Sequence, residues 1–108
     1  MSKRTLELAK ATDSQPKRIV AKAQLSRWGS CSGKANINLN AHLAFLPRQH
    51  IDYVIIHELM HLREMNHSPR FWKWVATYCP DYLKLRRELQ THGWLIGTLN
   101  GWKESISA

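Results

Sequence analysis

The stretch His57-Glu58-Leu59-Met60-His61 constrains this chain more than any other. Its surroundings read as a helix. Ile51, Val54, Ile55, Leu59 and Leu62 recur at helical spacing, from a first turn that Pro47 suits through to about Glu64. On a helix, two histidines four residues apart share one face about one turn apart, so both imidazoles reach one metal ion. Glu58 stands beside His57, placed to touch a water on that ion without ligating it. A chance HExxH would arise in roughly 1–2% of shuffles of such a chain, so the pattern reads as chemistry rather than composition.

A catalytic zinc takes three protein ligands and keeps one position open for water. His67 is the third candidate. A helix running on to residue 67 would turn it about 600° from His61, off the ligand face. A helix ending at a left-handed Asn66 would let the chain fold back and present His67. Ser68-Pro69 then reads as the N-cap and first residue of the next helix. Metzincins share this spacing but carry a glycine where this chain has Glu64, so the chain is not placed among them. Two plainer readings stand beside the catalytic one. The histidines could be surface residues of a basic helix. The site could also hold a structural zinc with Cys31 or Cys79 as fourth ligand, which leaves Glu58 without a role.

Strands precede the helices. Ile19, Ala21, Ala23 and Leu25 alternate with Val20, Lys22, Gln24 and Ser26 at close to period two, and Arg27-Trp28-Gly29-Ser30-Cys31 continues or follows that stretch. Ser32-Gly33-Lys34 is a turn, and Ile37 and Leu39 alternate with asparagines in residues 36–40, which suggests a β-hairpin. Gly29 within the first arm marks a bulge or a close approach of another backbone. After Ser68, Phe71, Val75, Tyr78 and Cys79 mark the buried side of a second helix, which Pro80 breaks. Tyr82, Leu85 and Leu89 fit one face of a third, ending near Gly93. The fold class is therefore α+β: a small antiparallel sheet or hairpin packed on the HExxH helix and two further helices.

One domain accounts for 108 residues, and 44% hydrophobic content with five tryptophans needs a packed core. The domain is read as residues 17–99, with residues 100–108 as a tail. Residues 1–16 are read as an N-terminal arm, with a short helix over 5–11, or as the stump of a larger region. Two distant cysteines exclude a cysteine-based zinc knuckle and a disulfide scaffold. No segment approaches a membrane span and residues 1–10 lack a signal-peptide pattern, so a cytoplasmic monomer is the default expectation. The net charge of +8 favours acidic partners, nucleic acid among them, although the basic residues form no dense block. His42, His50 and His92 have no mate at ligand spacing and read as surface or capping residues. Asp81 or Glu64 could hydrogen-bond a ligating histidine.

The blocks Arg27-Trp28-Gly29-Ser30-Cys31-Ser32, Asn36-Ile37-Asn38-Leu39-Asn40, His57-Glu58-Leu59-Met60-His61-Leu62, Asn66-His67-Ser68-Pro69-Arg70-Phe71-Trp72 and Pro80-Asp81-Tyr82 together resemble the YgjP-like metallopeptidases. That family is zincin-type and related to SprT and WLM-type proteases. The resemblance implies a minimal zincin fold, Zn2+ on His57, His61 and His67, and Glu58 as catalytic base. It also implies an edge strand that binds substrate in extended form, here with Arg27, Trp28, Gly29 and Ser30. The relatives act on proteins attached to DNA, which would suit the positive charge. This chain departs from the usual family member in its short N-terminal part. The reading that follows is a zinc metallopeptidase that hydrolyses peptide bonds in a protein or peptide substrate. Glu58 activates the water, and Tyr82 or Arg70 supplies a transition-state donor, with Arg63 a further possibility. The alternative is a zinc-stabilised nucleic-acid-binding or regulatory module without turnover.

Overall fold

The computed structural model describes residues 2–22 and 28–91. The chain runs α1 (Ser2–Ala11), β1 (Arg18–Lys22), β2 (Gly29–Cys31), β3 (Asn36–Asn40), a short 3-10 helix (Ala41–Phe45), α2 (Arg48–Met60), α3 (Pro69–Tyr78) and α4 (Tyr82–Thr91). This is an α+β architecture, and α2, which carries the HExxH motif, is its centre. Residues 53–60 are all buried, with no polar face among them. A helix buried all round needs cover on every side. The sheet, α1, α3 and α4 supply it. No helix among the described residues is long and apolar enough to cross a membrane.

The sheet has three strands in the order β1-β3-β2. β2 and β3 form the expected antiparallel hairpin, with Gly29 opposite Leu39 and Cys31 opposite Ile37. β1 does not join that hairpin as a third antiparallel strand. It pairs in parallel with β3 from Arg18↔Asn36 to Lys22↔Asn40, so the sheet is mixed. β1 also stops at Lys22, short of the expected run to Leu25, and residues 23–27 lie outside the described residues. Ile37 and Leu39 are fully buried, as the alternation requires. In the hairpin turn, Ser32 Oγ accepts from the backbone N–H groups of Lys34 and Asn36. The left-handed position falls on Ala35 (φ 64°), not on Gly33.

α1 packs on α2. Thr5 and Ala9 face inward, and Arg4 makes a two-pronged ion pair with Asp52 of α2 at 2.8 Å on each prong. The helix ends in a Schellman motif. Asp13 is left-handed (φ 52°), Ser14 N–H reaches back to Ala9 O at 2.7 Å, and Asp13 N–H to Lys10 O at 3.2 Å. Arg63, just beyond α2, donates to Thr12 O and lies 4.3 Å over the Trp74 ring. One guanidinium thus fixes the exits of α1 and α2 and the body of α3.

The end of α2 differs from the sequence reading. The helix stops at Met60, not near Glu64, and Asn66 is not left-handed. His61 N–H bonds Glu58 O, Leu62 N–H bonds Leu59 O and Arg63 N–H bonds Met60 O. These are three-residue bonds, so the last turn tightens into 3-10 geometry and the chain leaves the axis early. Ser68 is the N-cap of α3, accepting from Phe71 N–H at 3.3 Å, with Pro69 in the first turn. The expected end of the third helix near Gly93, and His92, lie outside the described residues.

Candidate metal centre

α2 and the start of α3 bring His57, His61 and His67 together. One ring nitrogen from each lies within 4.8 Å of the others, and His57 Nε2 and His67 Nε2 are 3.3 Å apart. Two nitrogens bound to one tetrahedral zinc at 2.0–2.1 Å should sit about 3.3 Å apart, so the spacing fits the ion. His57 and His61 come from the motif turn, with ring centroids 5.0 Å apart. His67 arrives by the early exit from α2 and the capped restart at Ser68. Among the described residues no cysteine or carboxylate joins this group. A structural zinc with Cys31 or Cys79 as fourth ligand therefore has no support from the geometry.

The orientation of His61 follows from its surroundings. Its Nδ1 lies 3.0 Å from Glu64 O. A carbonyl only accepts, so Nδ1 carries the proton and Nε2 keeps its lone pair. That Nε2 is buried and has no hydrogen-bond partner among the described residues, which suits a metal ligand. Glu64 thus acts through its backbone carbonyl. Its carboxylate instead lies 4.0 Å from Arg70. Asp81 is exposed at the start of α4.

Aromatic rings hold the three imidazoles. Phe71, fully buried on α3, stacks on His61 at 4.3 Å between centroids and meets His57 and His67 edge-on at 5.0 and 5.1 Å. Trp72 packs on His57 and His67, and Tyr53 meets His57 from one turn earlier on α2. Burial holds His57 well below the usual imidazole range, and the charges of His61, His67 and Arg86 push the same way. Burial likewise lowers His61 to about 4, against the backbone carbonyl of Glu64. Both rings are neutral near pH 7, as metal ligands must be.

Glu58 is fully buried and outside the ligand group. Its side chain lies against β2. A methyl group at Gly29 would come within 3.1 Å of Glu58 Cγ and 3.2 Å of Oε2. The sequence suggested a bulge or a backbone approach at Gly29; the backbone Asn38 O is as near as Glu58 Cγ, at 3.1 Å, and the side chain that packs there is Glu58. Cys31 is buried in the same region. Its thiol is pushed up to about 12 by burial and then by the Glu58 charge, so it is inert.

The other sequence candidates divide. Gly29 and Ser30 lie on β2, and Asn38 Nδ2 donates to Ser30 Oγ at 3.3 Å. Trp28 is at the start of that segment, but its side chain is fully buried, so its indole packs rather than meets substrate. Arg27 lies outside the described residues. Arg70 is 79% exposed and directed to Glu64, which removes it from the centre. Tyr82 is connected to the centre through Trp72, on which it stacks at 5.2 Å. His42 is held by Asn40 and His50 is buried in a 2.8 Å contact with Glu88 of α4, neither near a metal-binding group. Arg86 of α4, which the sequence did not single out, places its Cζ 5.4 Å from the Trp72 ring. Its signal was the spacing of four from Tyr82, which puts both on one face of α4.

A three-histidine centre on an HExxH helix, with a small sheet over the glutamate, defines a zincin-like metallopeptidase fold. Two solved structures share it. The metallopeptidase zymogen of Pyrococcus abyssi abylysin is 27% identical, with 85% of this chain and 94% of that one covered and a TM-score of 0.73. The metallopeptidase zymogen of Methanocaldococcus jannaschii jannalysin is 22% identical, with 82% and 95% covered and a TM-score of 0.66, and shares the fold. No curated protein sequence matches the chain. The profile of the YgjP-like metallopeptidase domain matches residues 1–92, and the chain belongs to that family. The matched region includes α1 as well as the sheet and the three later helices.

Proposed function

We propose that this chain is a zinc-dependent peptidase, in which His57, His61 and His67 hold the ion and Glu58 is the general base. The observation that carries the reading is the set of three imidazoles converging on one point, with a buried carboxylate beside them that is outside the group. Zinc there would supply a Lewis acid that polarises water and the scissile carbonyl. Glu58 takes a proton from the water and returns it to the leaving amine. Its side chain lies against Gly29 of β2, which holds the carboxylate beside the three imidazoles. The neutral imidazoles leave the ion its full charge.

The substrate reading rests on sheet topology. β3 is central and β2 lies at an edge, with its outer side unpaired among the described residues. An extended peptide can add to that edge beside Gly29 and Ser30, with main-chain hydrogen bonds supplying affinity. The family and the named relatives are metallopeptidases, which supports a protein or peptide substrate. The test is Glu58→Gln. It should retain one zinc per chain and lose cleavage of an unstructured protein such as denatured casein. Tight zinc binding by the wild-type chain with no cleavage of any unstructured protein would sink the peptidase reading.

A further inference from the structure

The β2–β3 hairpin reaches past the glutamate. Gly29 at the start of β2 meets Glu58, and Ser32 and Gly33 just beyond its end face His61, Leu62 and Met65 across an open space. β2 therefore advances in the same direction as α2, from Glu58 toward the segment that follows the helix. The space holds about 150 Å³, room for a benzene-sized group, and His61 forms part of its wall. A second space of about 330 Å³ shares Ala35, Leu62 and Arg63 with the first and runs on to Asp13, Ser14 and Gln15 beyond α1. The two form one groove that starts at the three-histidine cluster and leads away from it.

The turn on one side of this groove carries its glycine in an unexpected place. Ala35 N–H bonds Ser32 O, and Ser32 N–H bonds Asn36 O, both at 3.0 Å. Such a short hairpin loop has a left-handed position that normally takes glycine. Ala35 occupies it, with φ 64°. Gly33 is not left-handed, and a Cβ there would meet nothing within 4 Å among the described residues. Neither the backbone nor packing calls for glycine at 33. The consequence of its missing side chain is an open mouth to the groove. On the opposite side Leu62 and Met65 are partly exposed, while the Arg63 guanidinium is drawn off to Thr12 O and the Trp74 ring. That wall is apolar, and the flexible thioether of Met65 adapts to side chains of varied shape.

We propose that the groove is a substrate subsite, which takes a large apolar side chain of a peptide lying along the β2 edge. Leu62 and Met65 receive that side chain, and Gly33 admits it. This rests on the peptidase reading of the same centre. Pairing to a strand edge supplies main-chain bonds whatever the sequence, so selectivity comes from pockets beside the edge. A strand advances about 3.3 Å per residue, so the position selected falls within about three residues of the scissile bond.

The test compares wild type with Gly33→Trp, which fills the mouth, and Met65→Lys, which puts a cation into the apolar wall. Peptides of random sequence are digested, and the cut positions are read by mass spectrometry. At one position near the cut, wild type should favour leucine, methionine or phenylalanine over glycine or lysine about tenfold or more. Gly33→Trp should reduce that preference about tenfold, and Met65→Lys should move it toward aspartate and glutamate. Gly33→Leu takes the place of the tryptophan variant if that chain does not fold. A wild type without this preference, or a preference that survives both variants, overturns the subsite and leaves the peptidase reading standing. If wild type cleaves nothing, fluorescently labelled peptides are titrated onto the zinc-loaded chain instead. Tighter binding of leucine- or phenylalanine-bearing peptides than of glycine-bearing ones, lost in Gly33→Trp, upholds the groove while hydrolysis falls. Equal binding, or none, overturns the groove as well.

Discussion

Gly29→Ala places one methyl group between a strand and the base. The new Cβ would lie 3.1 Å from Asn38 O, 3.1 Å from Glu58 Cγ and 3.2 Å from Glu58 Oε2. Carbon contacts are comfortable near ~3.5–4.0 Å, so a shift of about 0.4 Å is forced. The Asn38 carbonyl cannot give, because it belongs to the central strand, paired on both sides. The displacement therefore falls on Glu58 or on β2. Overpacking of this kind costs about 1–2 kcal/mol. For a domain of this size, that lowers Tm by roughly 5–15 °C. The three histidines are untouched, so zinc content should remain one per chain. Activity should fall about tenfold or more, chiefly in kcat, because the base is moved by a fraction of an ångström. Thermal unfolding, metal analysis and steady-state kinetics on one preparation give all three quantities. A Gly29→Ala protein as stable and as active as wild type would refute the contact between β2 and Glu58, and with it the account of how the base is placed.

His67→Ala should weaken zinc binding more than about a hundredfold, since a direct ligand outweighs the 10–100-fold effect of outer partners; unchanged affinity in chelator competition would remove His67 from the centre. Ser68→Ala takes away the α3 N-cap, which accepts from Phe71 N–H. It should cost about 1 kcal/mol in denaturant unfolding. It should also loosen zinc binding a few-fold, because the cap fixes the segment that presents His67; a stability loss with zinc affinity unchanged would separate the two. pH acts on the metal-free chain through His61, whose folded value is lowered to about 4 from an ordinary 6.5. The unfolded state binds the extra proton first, so stability is full above about 6.5 and falls as pH drops toward about 4. His57 is shifted in the same direction and adds to the loss. A metal-free Tm that holds constant between those limits would contradict the burial of both rings.

Much of the centre was written in one dimension. The motif His57-Glu58-Leu59-Met60-His61 needs only a helix to align its histidines, and local apolar spacing is enough to make one. The Ser68-Pro69 cap and the β2–β3 hairpin are also local, because a cap or a turn is settled by residues within a few positions. His67 was legible for the same reason: a helix that stops before it must redirect the chain. The stopping point was not legible. It depends on the last turn tightening into 3-10 bonds, with His61 Nδ1 on Glu64 O and Arg63 drawn to Thr12 O. The last of these spans 51 positions and has no periodicity to betray it.

Tertiary packing decided the rest. The parallel pairing of β1 with β3 leaves no local mark, because it joins segments separated by a whole strand. It makes β3 central and leaves β2 at the edge, beside Glu58. Arg70 and Arg86 look alike in sequence. One points to solvent and the other to Trp72, because α4 folds back across the start of α3. By itself the sequence determined which three histidines cluster and which glutamate accompanies them, since these are fixed by spacing along one helix and the turn after it. Only the folded chain decided what presses on Glu58 and which cation reaches Trp72, because those contacts form between elements that meet only when the core closes.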